Sequence, residues 1–329
     1  MINTIYIGGG TPSLLKIAET GSLIEKIYSL FKVSPQAEIT IEINPDDVTP
    51  GKLAGWREMG INRLSLGVQS FFEDELRWMN RAHTVEQAHS ALQSAIKYFD
   101  NISIDLIYGT PALTNEKWEQ NIQHALAYHI PHLSCYALTV EKDTPLHKLI
   151  RMKKKRDVNQ DMQSDQFILL MQRMEESGYE HYEISNFAKP GFRSRHNASY
   201  WQGEKYLGMG PAAHSFDGTS RQWNVANNNI YIGSIKNGSV PLEKEILTVI
   251  QRTNEYIMTS LRTIEGLYLD QISVALRDQV KLASRKFLDL GLMIENQNHL
   301  KLTARGKLLA DGIAADLFLT DDSVASQKK

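Results

Sequence analysis

Cysteine is nearly missing from this chain: among 329 residues there is one, Cys135. A single thiol excludes an internal disulfide and suits a reducing cytoplasm. Also absent is any run near the roughly 20 apolar residues that a membrane-spanning helix needs. A secretory signal is not expected, because residues 4–8 already read as a strand. Neither sign of charge dominates: 36 basic residues face 38 acidic ones, so nothing global draws the chain to nucleic acid or an anionic surface. The longest basic stretch, Arg151 to Arg156, reads as a solvated connector. No GxGxxG or Walker pattern occurs, and His83, His132 and His214 lack metal-ligand spacing.

What is present is a repeated strand pattern. The segments 4–8, 38–42, 63–69, 101–105 and 132–136 each carry Ile, Leu or Val at one parity and polar residues or Gly at the other. A parallel sheet covered by helices on both faces would be apolar at both parities. A polar parity implies a lumen holding water, side-chain networks or a ligand. Glu42, Gln69 and Asp105 then point inward near the mouth, within reach of Arg81.

Helical patterns fill the intervals. Thr11-Pro12 opens a helix expected to run to about Phe31, and Thr49-Pro50 opens another to Met59 with Gly60 as its stop. Further helices are expected at 84–98, 114–128 and 157–177. This gives an α/β fold, a partial parallel barrel too short for eight units. From about residue 240 the character changes. Helices at 245–262, 268–276 and 279–290 precede strands at 291–295 and 300–303, a small mostly helical, winged-helix-like module. The domains read as 1–235 and 236–329. Lys281, Arg285 and Lys286 favour nucleic acid only weakly, because three cations on one helix are ordinary for a solvated face.

Two local motifs carry chemistry. Gly8-Gly9-Gly10-Thr11-Pro12 ends a strand, so its backbone can approach a ligand closely, though Gly-rich turns are common. His196, Asn197, Tyr200 and Trp201 lie within six residues. They could ligate a metal or macrocycle centre and stack on a flat apolar ring, or form a surface loop whose aromatics pack on the barrel and whose His is a capping donor.

In order, GGGTP at 8–12, EINP at 42–45, NRLSLGVQSF at 62–71, NRAHT at 80–84, DLIYGTP at 105–111, HLSCYALTVE at 132–141, YEISNFA at 182–188, HNASYW at 196–201 and YLGMGPAAHS at 206–215 cover most of the chain. This series resembles the HemW branch of the radical S-adenosylmethionine (radical SAM) superfamily, heme chaperones similar to the oxygen-independent coproporphyrinogen III oxidase. The resemblance implies a SAM site at Gly9, Gly10, Thr11, Glu42, Gln69, Arg81, Asp105 and Ala137. It implies heme at His196, Asn197, Tyr200 and Trp201, with His196 as axial ligand. It further implies a cytoplasmic protein that delivers heme to acceptor hemoproteins; a homodimer and a peripheral membrane contact are compatible with it. The alternative it leaves open is a radical enzyme that decarboxylates coproporphyrinogen III.

One departure matters. The family holds a 4Fe-4S cluster on a CxxxCxxC motif after the barrel's first strand, and this chain starts at what would be the second. One cysteine cannot hold such a cluster, so radical catalysis by these residues alone is not expected, and an upstream segment bearing the cysteines is expected ahead of a natural variant that lost its cluster.

Overall fold

The computed structural model describes residues 1–320. Its chain divides into two compact units, Met1–His196 and Asn197–Lys329.

The first unit runs β1 (Ile2–Ile7), α1 (Ile17–Leu30), β2 (Val33–Ile43), α2 (Pro50–Glu58), β3 (Arg63–Gln69), α3 (Glu73–Trp78), α4 (Val85–Ala95), β4 (Ile102–Tyr108), α5 (Asn115–Ala127), β5 (His132–Ala137), α6 (Pro145–Arg151), α7 (Gln160–Glu176), β6 (Glu180–Glu183) and β7 (Asn186–Ala188). The sheet order is β1-β2-β3-β4-β5-β7-β6. The first five strands are parallel, and β7 and β6 close the far side as antiparallel neighbours. This is the partial barrel that the alternating strands predict.

The alternation explains why it forms. Ile39, Ile41, Leu64, Leu66, Val68, Ile104, Leu106 and Leu133 are almost completely buried on the helix-facing side. Each such side chain stabilises the fold by about 1.5–3 kcal/mol relative to exposure. The opposite parity places Glu38, Thr40, Glu42, Arg63, Ser65, Gln69, Ser103, Asp105, His132 and Ser134 on the lumen side. Caps set the helices: Thr49 accepts from Lys52 N before α2, and Thr84 and Gln87 form a reciprocal capping box before α4.

Helix α1 starts later than Thr11-Pro12 suggests. Thr11 makes no side-chain cap, Pro12–Leu14 form one 3-10 turn, and the helix begins after Lys16, whose amide donates to Glu19 at 2.8 Å. The basic stretch is not wholly solvated either, since Lys155 lies 4.5 Å over the ring of Trp78.

Helix α8 (Arg195–Trp201) carries the unit boundary. The second unit continues with β8 (His214–Phe216), β9 (Ser220–Asn224), α9 (Asn228–Lys236), β10 (Leu242–Ile246), α10 (Val249–Leu261), β11 (Leu267–Tyr268), α11 (Val274–Asp289), β12 (Met293–Asn296) and β13 (His299–Leu302), then two short helices. Its two antiparallel sheets are ordered β10-β9-β8 and β11-β13-β12. Strand β10, beyond residue 235, pairs along its length with β9, before it.

The two helices expected at 268–276 and 279–290 are instead a short strand, a 3-10 turn at Leu269–Gln271 and the single helix α11. Leu276, Val280 and Phe287 give α11 one continuous buried face, and nothing between 276 and 279 breaks it. Three of the four cations of α11 are tied to acids: Arg277 to Asp270 at 2.9 Å, Lys281 to Glu295 at 3.7 Å and Lys286 to Asp316 at 2.6 Å. Among the described residues no helix is long and apolar enough to cross a membrane.

Candidate functional site

The lumen has two storeys. The upper one lies at the carboxyl ends of the parallel strands. There Gly9 and Gly10 adopt φ +79° and +66°, a left-handed turn that only glycine enters without strain. Gly9 N–H donates to Glu42 Oε2 at 3.0 Å, and the Tyr6 hydroxyl donates to Glu42 Oε1 at 2.8 Å. On β3, a Cβ added to Gly67 would meet Gln69 Nε2 at 2.9 Å and both Arg81 Nη2 and Asn44 Oδ1 at 3.8 Å. Three polar groups from separate elements therefore converge on the bare backbone of one glycine.

Gln69 is itself unusual, a buried non-glycine residue at φ +66°. Such a conformation costs of order 1–3 kcal/mol and persists only where the surroundings over-determine it. Here they do. Asn121 Oδ1 accepts from Phe71 N at 2.6 Å, Asn121 Nδ2 donates to Ser70 Oγ at 3.3 Å, and His83 Nε2 donates to the Val68 carbonyl at 3.0 Å.

Asp105 faces the lumen from mid-β4, with Ser65 donating to it at 3.4 Å. Protein atoms surround it even though the lumen keeps part of its surface open. Burial, reinforced by the negative charge of Glu42, pushes its carboxyl up to about 6, and hydrogen bonds from Ser134 and Ser65 counter part of that. Arg81 has its pKa lowered by partial desolvation, against the stabilising charges of Asp105 and Asp46. Ala137 ends β5 and is exposed.

The lower storey is a buried polar network at the amino ends of the strands. Arg63 donates to Asn101 at 2.6 Å, and His132 bridges Ser103 Oγ and Tyr182 Oη, each at 2.7 Å. Burial holds His132 well below the usual imidazole range. His196 enters here. Glu38 accepts from the amides of Arg195 at 3.1 Å and His196 at 2.9 Å, Thr4 Oγ1 lies 2.9 Å from His196 Nδ1, and the Tyr6 ring stacks on the imidazole at 4.7 Å and 17°. Burial pushes His196 down to about 4, so at neutral pH its imidazole is uncharged. The other members of its motif pack in the second unit. Tyr200 meets Tyr206 edge-on at 4.7 Å, and Arg262 lies 5.3 Å over Trp201. Trp201 Nε1 is buried with no acceptor among the described residues.

The strand-end expectation describes Glu42 and Gln69, with Arg81 near Gln69 beside Gly67, whereas Asp105 faces the lumen from mid-strand because β4 runs on to Tyr108. It misses Tyr6, Asn44, Ser65 and Asn121. Tyr6 shares the polar parity of Thr4 and Gly8, which is the sequence signal that could have found it.

Residues 1–125 match the family model of the Radical SAM superfamily. The chain is 33% identical to the heme chaperone HemW of Mycobacterium tuberculosis H37Rv over 319 residues, spanning 96% of this chain and 81% of that protein. Its identity to the HemW of Bacillus subtilis 168 is also 33%, over 95% of this chain and 84% of the relative. Among solved structures, the coproporphyrinogen III oxidase HemN of Escherichia coli superposes with a TM-score of 0.81 at 23% identity, over 96% of this chain and 77% of that one, a likeness of fold. Fold and mouth together define a radical SAM-type barrel. Within that class the chain belongs to the HemW family.

Membership implies SAM and a 4Fe-4S cluster as cofactors of the class. The upper storey fits SAM, offering acceptors for an amino group, an arginine for a carboxylate and a glycine turn for close approach. The residues present do not fit the cluster. Cys135 sits at the helix-facing parity of β5, fully buried with its thiol pKa raised, and no group of three or more Cys, His, Asp or Glu among the described residues could hold a metal ion.

Proposed function

We propose that this chain binds heme and hands it to acceptor hemoproteins in a reducing cytoplasm, with an accessory SAM pocket in the upper storey of the barrel. A homodimeric state and a peripheral membrane contact are part of the same proposal, as is the division of labour between a barrel with its heme-motif extension and a helical, winged carboxyl-terminal domain. The supporting observation is the condition of His196, a neutral imidazole whose Nδ1 is held by Thr4. When Nδ1 donates to Thr4, the lone pair resides on Nε2, the atom that would ligate heme iron; a hydrogen bond at the other ring nitrogen commonly orients metal-bound histidine in this way. Asn197, Tyr200 and Trp201 follow His196 on the same helix, and the same proposal assigns them to heme.

The upper storey is assigned to SAM. Gly9, Gly10 and Thr11 would follow its methionyl end, Glu42 and Gln69 would accept from its amino group, Arg81 would meet its carboxylate, and Asp105 and the Ala137 backbone would line the nucleoside end. When bound, SAM supplies a sulfonium whose cleavage needs an electron, which these residues alone do not provide.

Hemin titration of the wild type and His196→Ala, followed by transfer to an apo-globin, tests the heme assignment. The expected result is a ligand-type Soret band in the wild type, binding weakened about tenfold or more in the variant, and passage of heme to the globin. An identical spectrum and affinity in both proteins would remove His196 as a ligand.

A further inference from the structure

Tyr6 belongs to neither proposed ligand set, yet it touches both. Its hydroxyl donates to Glu42, whose other oxygen accepts from Gly9 of the glycine turn, and its ring is stacked on His196. The arrangement follows from the register of two strands. β1 and β2 run parallel with Thr4 opposite Glu38 and Tyr6 opposite Thr40, so Thr4 and Tyr6 share one face of β1 while Glu38 and Glu42 share one face of β2. Thr4 and Glu38 grip His196 in the lower storey; Glu42 serves the glycine turn in the upper one. Tyr6 spans the two.

The chemistry of the span is directional. Burial and the adjacent Glu42 push the Tyr6 phenol far above its ordinary range, so it remains a donor. Glu42 already accepts one hydrogen bond on each oxygen, both from neutral donors. Each oxygen keeps a second acceptor site, and an α-ammonium arriving at the glycine turn is a charged donor, roughly twice as strong, that draws the carboxylate toward itself and away from the geometry of its neutral bonds. Glu42 cannot turn to such a ligand and keep both neutral bonds unchanged. A shift of Glu42 pulls on the Tyr6 hydroxyl that it anchors, and the ring carrying that hydroxyl lies against the imidazole at 4.7 Å.

From this geometry we propose that Tyr6 is a positioning residue that couples occupancy of the Gly9–Glu42 pocket by the amino-acid end of SAM to the pose of the His196 imidazole. The coupling rests on the SAM assignment above, checked by calorimetric SAM binding in the same samples, and only its consequence for heme rests on the heme assignment. Linkage makes the effect reciprocal: whatever factor SAM imposes on heme affinity, heme imposes on SAM affinity.

The test compares the full chain with Tyr6→Phe, which keeps the stacked ring and removes only the hydroxyl. The first readout is the set of 15N-histidine side-chain resonances, with His196 identified by the peak that His196→Gln lacks, recorded with and without saturating SAM. In the wild type, SAM should move the His196 resonances; in Tyr6→Phe, still folded by circular dichroism, that response should vanish. The second readout is hemin affinity with and without SAM, expected to change about 5-fold or more in the wild type and to be insensitive in the variant. Equal responses of His196 in the two proteins, or none in the wild type, would overturn the coupling. Heme binding that ignores SAM sinks the coupling and leaves the heme assignment standing. A SAM-responsive His196 in a chain that binds no heme does the reverse.

Discussion

A carboxyl held near 6 and an imidazole held near 4 act on the barrel in opposite senses over the same pH interval. Asp105 is raised from an ordinary 3.8, so between there and about 6 the native chain keeps a proton that the unfolded chain has released. Its contribution is intact at low pH and is lost as pH rises to about 6. His196 is lowered from 6.5, so the unfolded chain gains a proton that the native chain refuses, and its contribution is lost as pH falls from 6.5 to about 4. The two slopes offset, leaving the wild type flatter than either group alone. Asp105→Asn removes one of them. Relative to the wild type, the variant should gain stability as pH rises through about 4 to 6, by at most about 3 kcal/mol for the shift of about two units. Urea midpoints of both proteins across that interval measure it, and a constant difference between them contradicts the assigned cause. The gain would mean that the wild type tolerates a costly carboxylate where the proposed SAM pocket uses one.

The left-handed turn at Gln69 shows how an element is held in place for the site. Strand β3 ends in a strained residue because α5 lends it Asn121, which occupies the Phe71 amide and the Ser70 hydroxyl. Asn121→Ala strands that amide in a buried setting, which costs about 1–3 kcal/mol, and frees Gln69 to leave its conformation. Both thermal stability and SAM affinity by calorimetry should fall. Stability loss with unaltered SAM binding would mean that the turn does not position Gln69 for the ligand. The same element marks the limit of what sequence reveals. The five parallel strands were legible because alternation of Ile, Leu and Val with polar residues is a local signal; strand-end logic then picked out Glu42 and Gln69, while Asp105 was found by its parity and lies mid-strand because β4 runs on to Tyr108. Asn121 was illegible because its partners lie some 50 residues away, and nothing in NEKWEQNIQHALA distinguishes it from a solvated helix position. Helix α3, six residues long, is too short to show a period. The β10–β9 pairing depends on contacts that no local pattern announces.

Taken whole, the molecule keeps its ligand-competent groups apart from the one residue that could bind a cluster. Cys135 points at the helices from the middle of β5, its thiol protonated by burial, while Glu42, Gln69 and Asp105 face the lumen on the opposite parity and His196 reaches Thr4 and Tyr6 from α8. SAM binding and heme binding, as proposed, use charge, hydrogen bonds and an imidazole, none of which needs a cluster. Electron delivery to a sulfonium does need one, and a 4Fe-4S centre takes several thiolates. Anaerobic reconstitution of this chain with iron and sulfide should therefore yield no four-iron signal by electron paramagnetic resonance after reduction and no cleavage of SAM. Calorimetric SAM binding and hemin titration should be unchanged by the treatment. A stoichiometric cluster with SAM turnover would show that other ligands of this chain can replace thiolates. Loss of heme binding in the cluster-free protein would show that carriage depends on the cluster after all, and that His196 alone is not sufficient to hold the cargo.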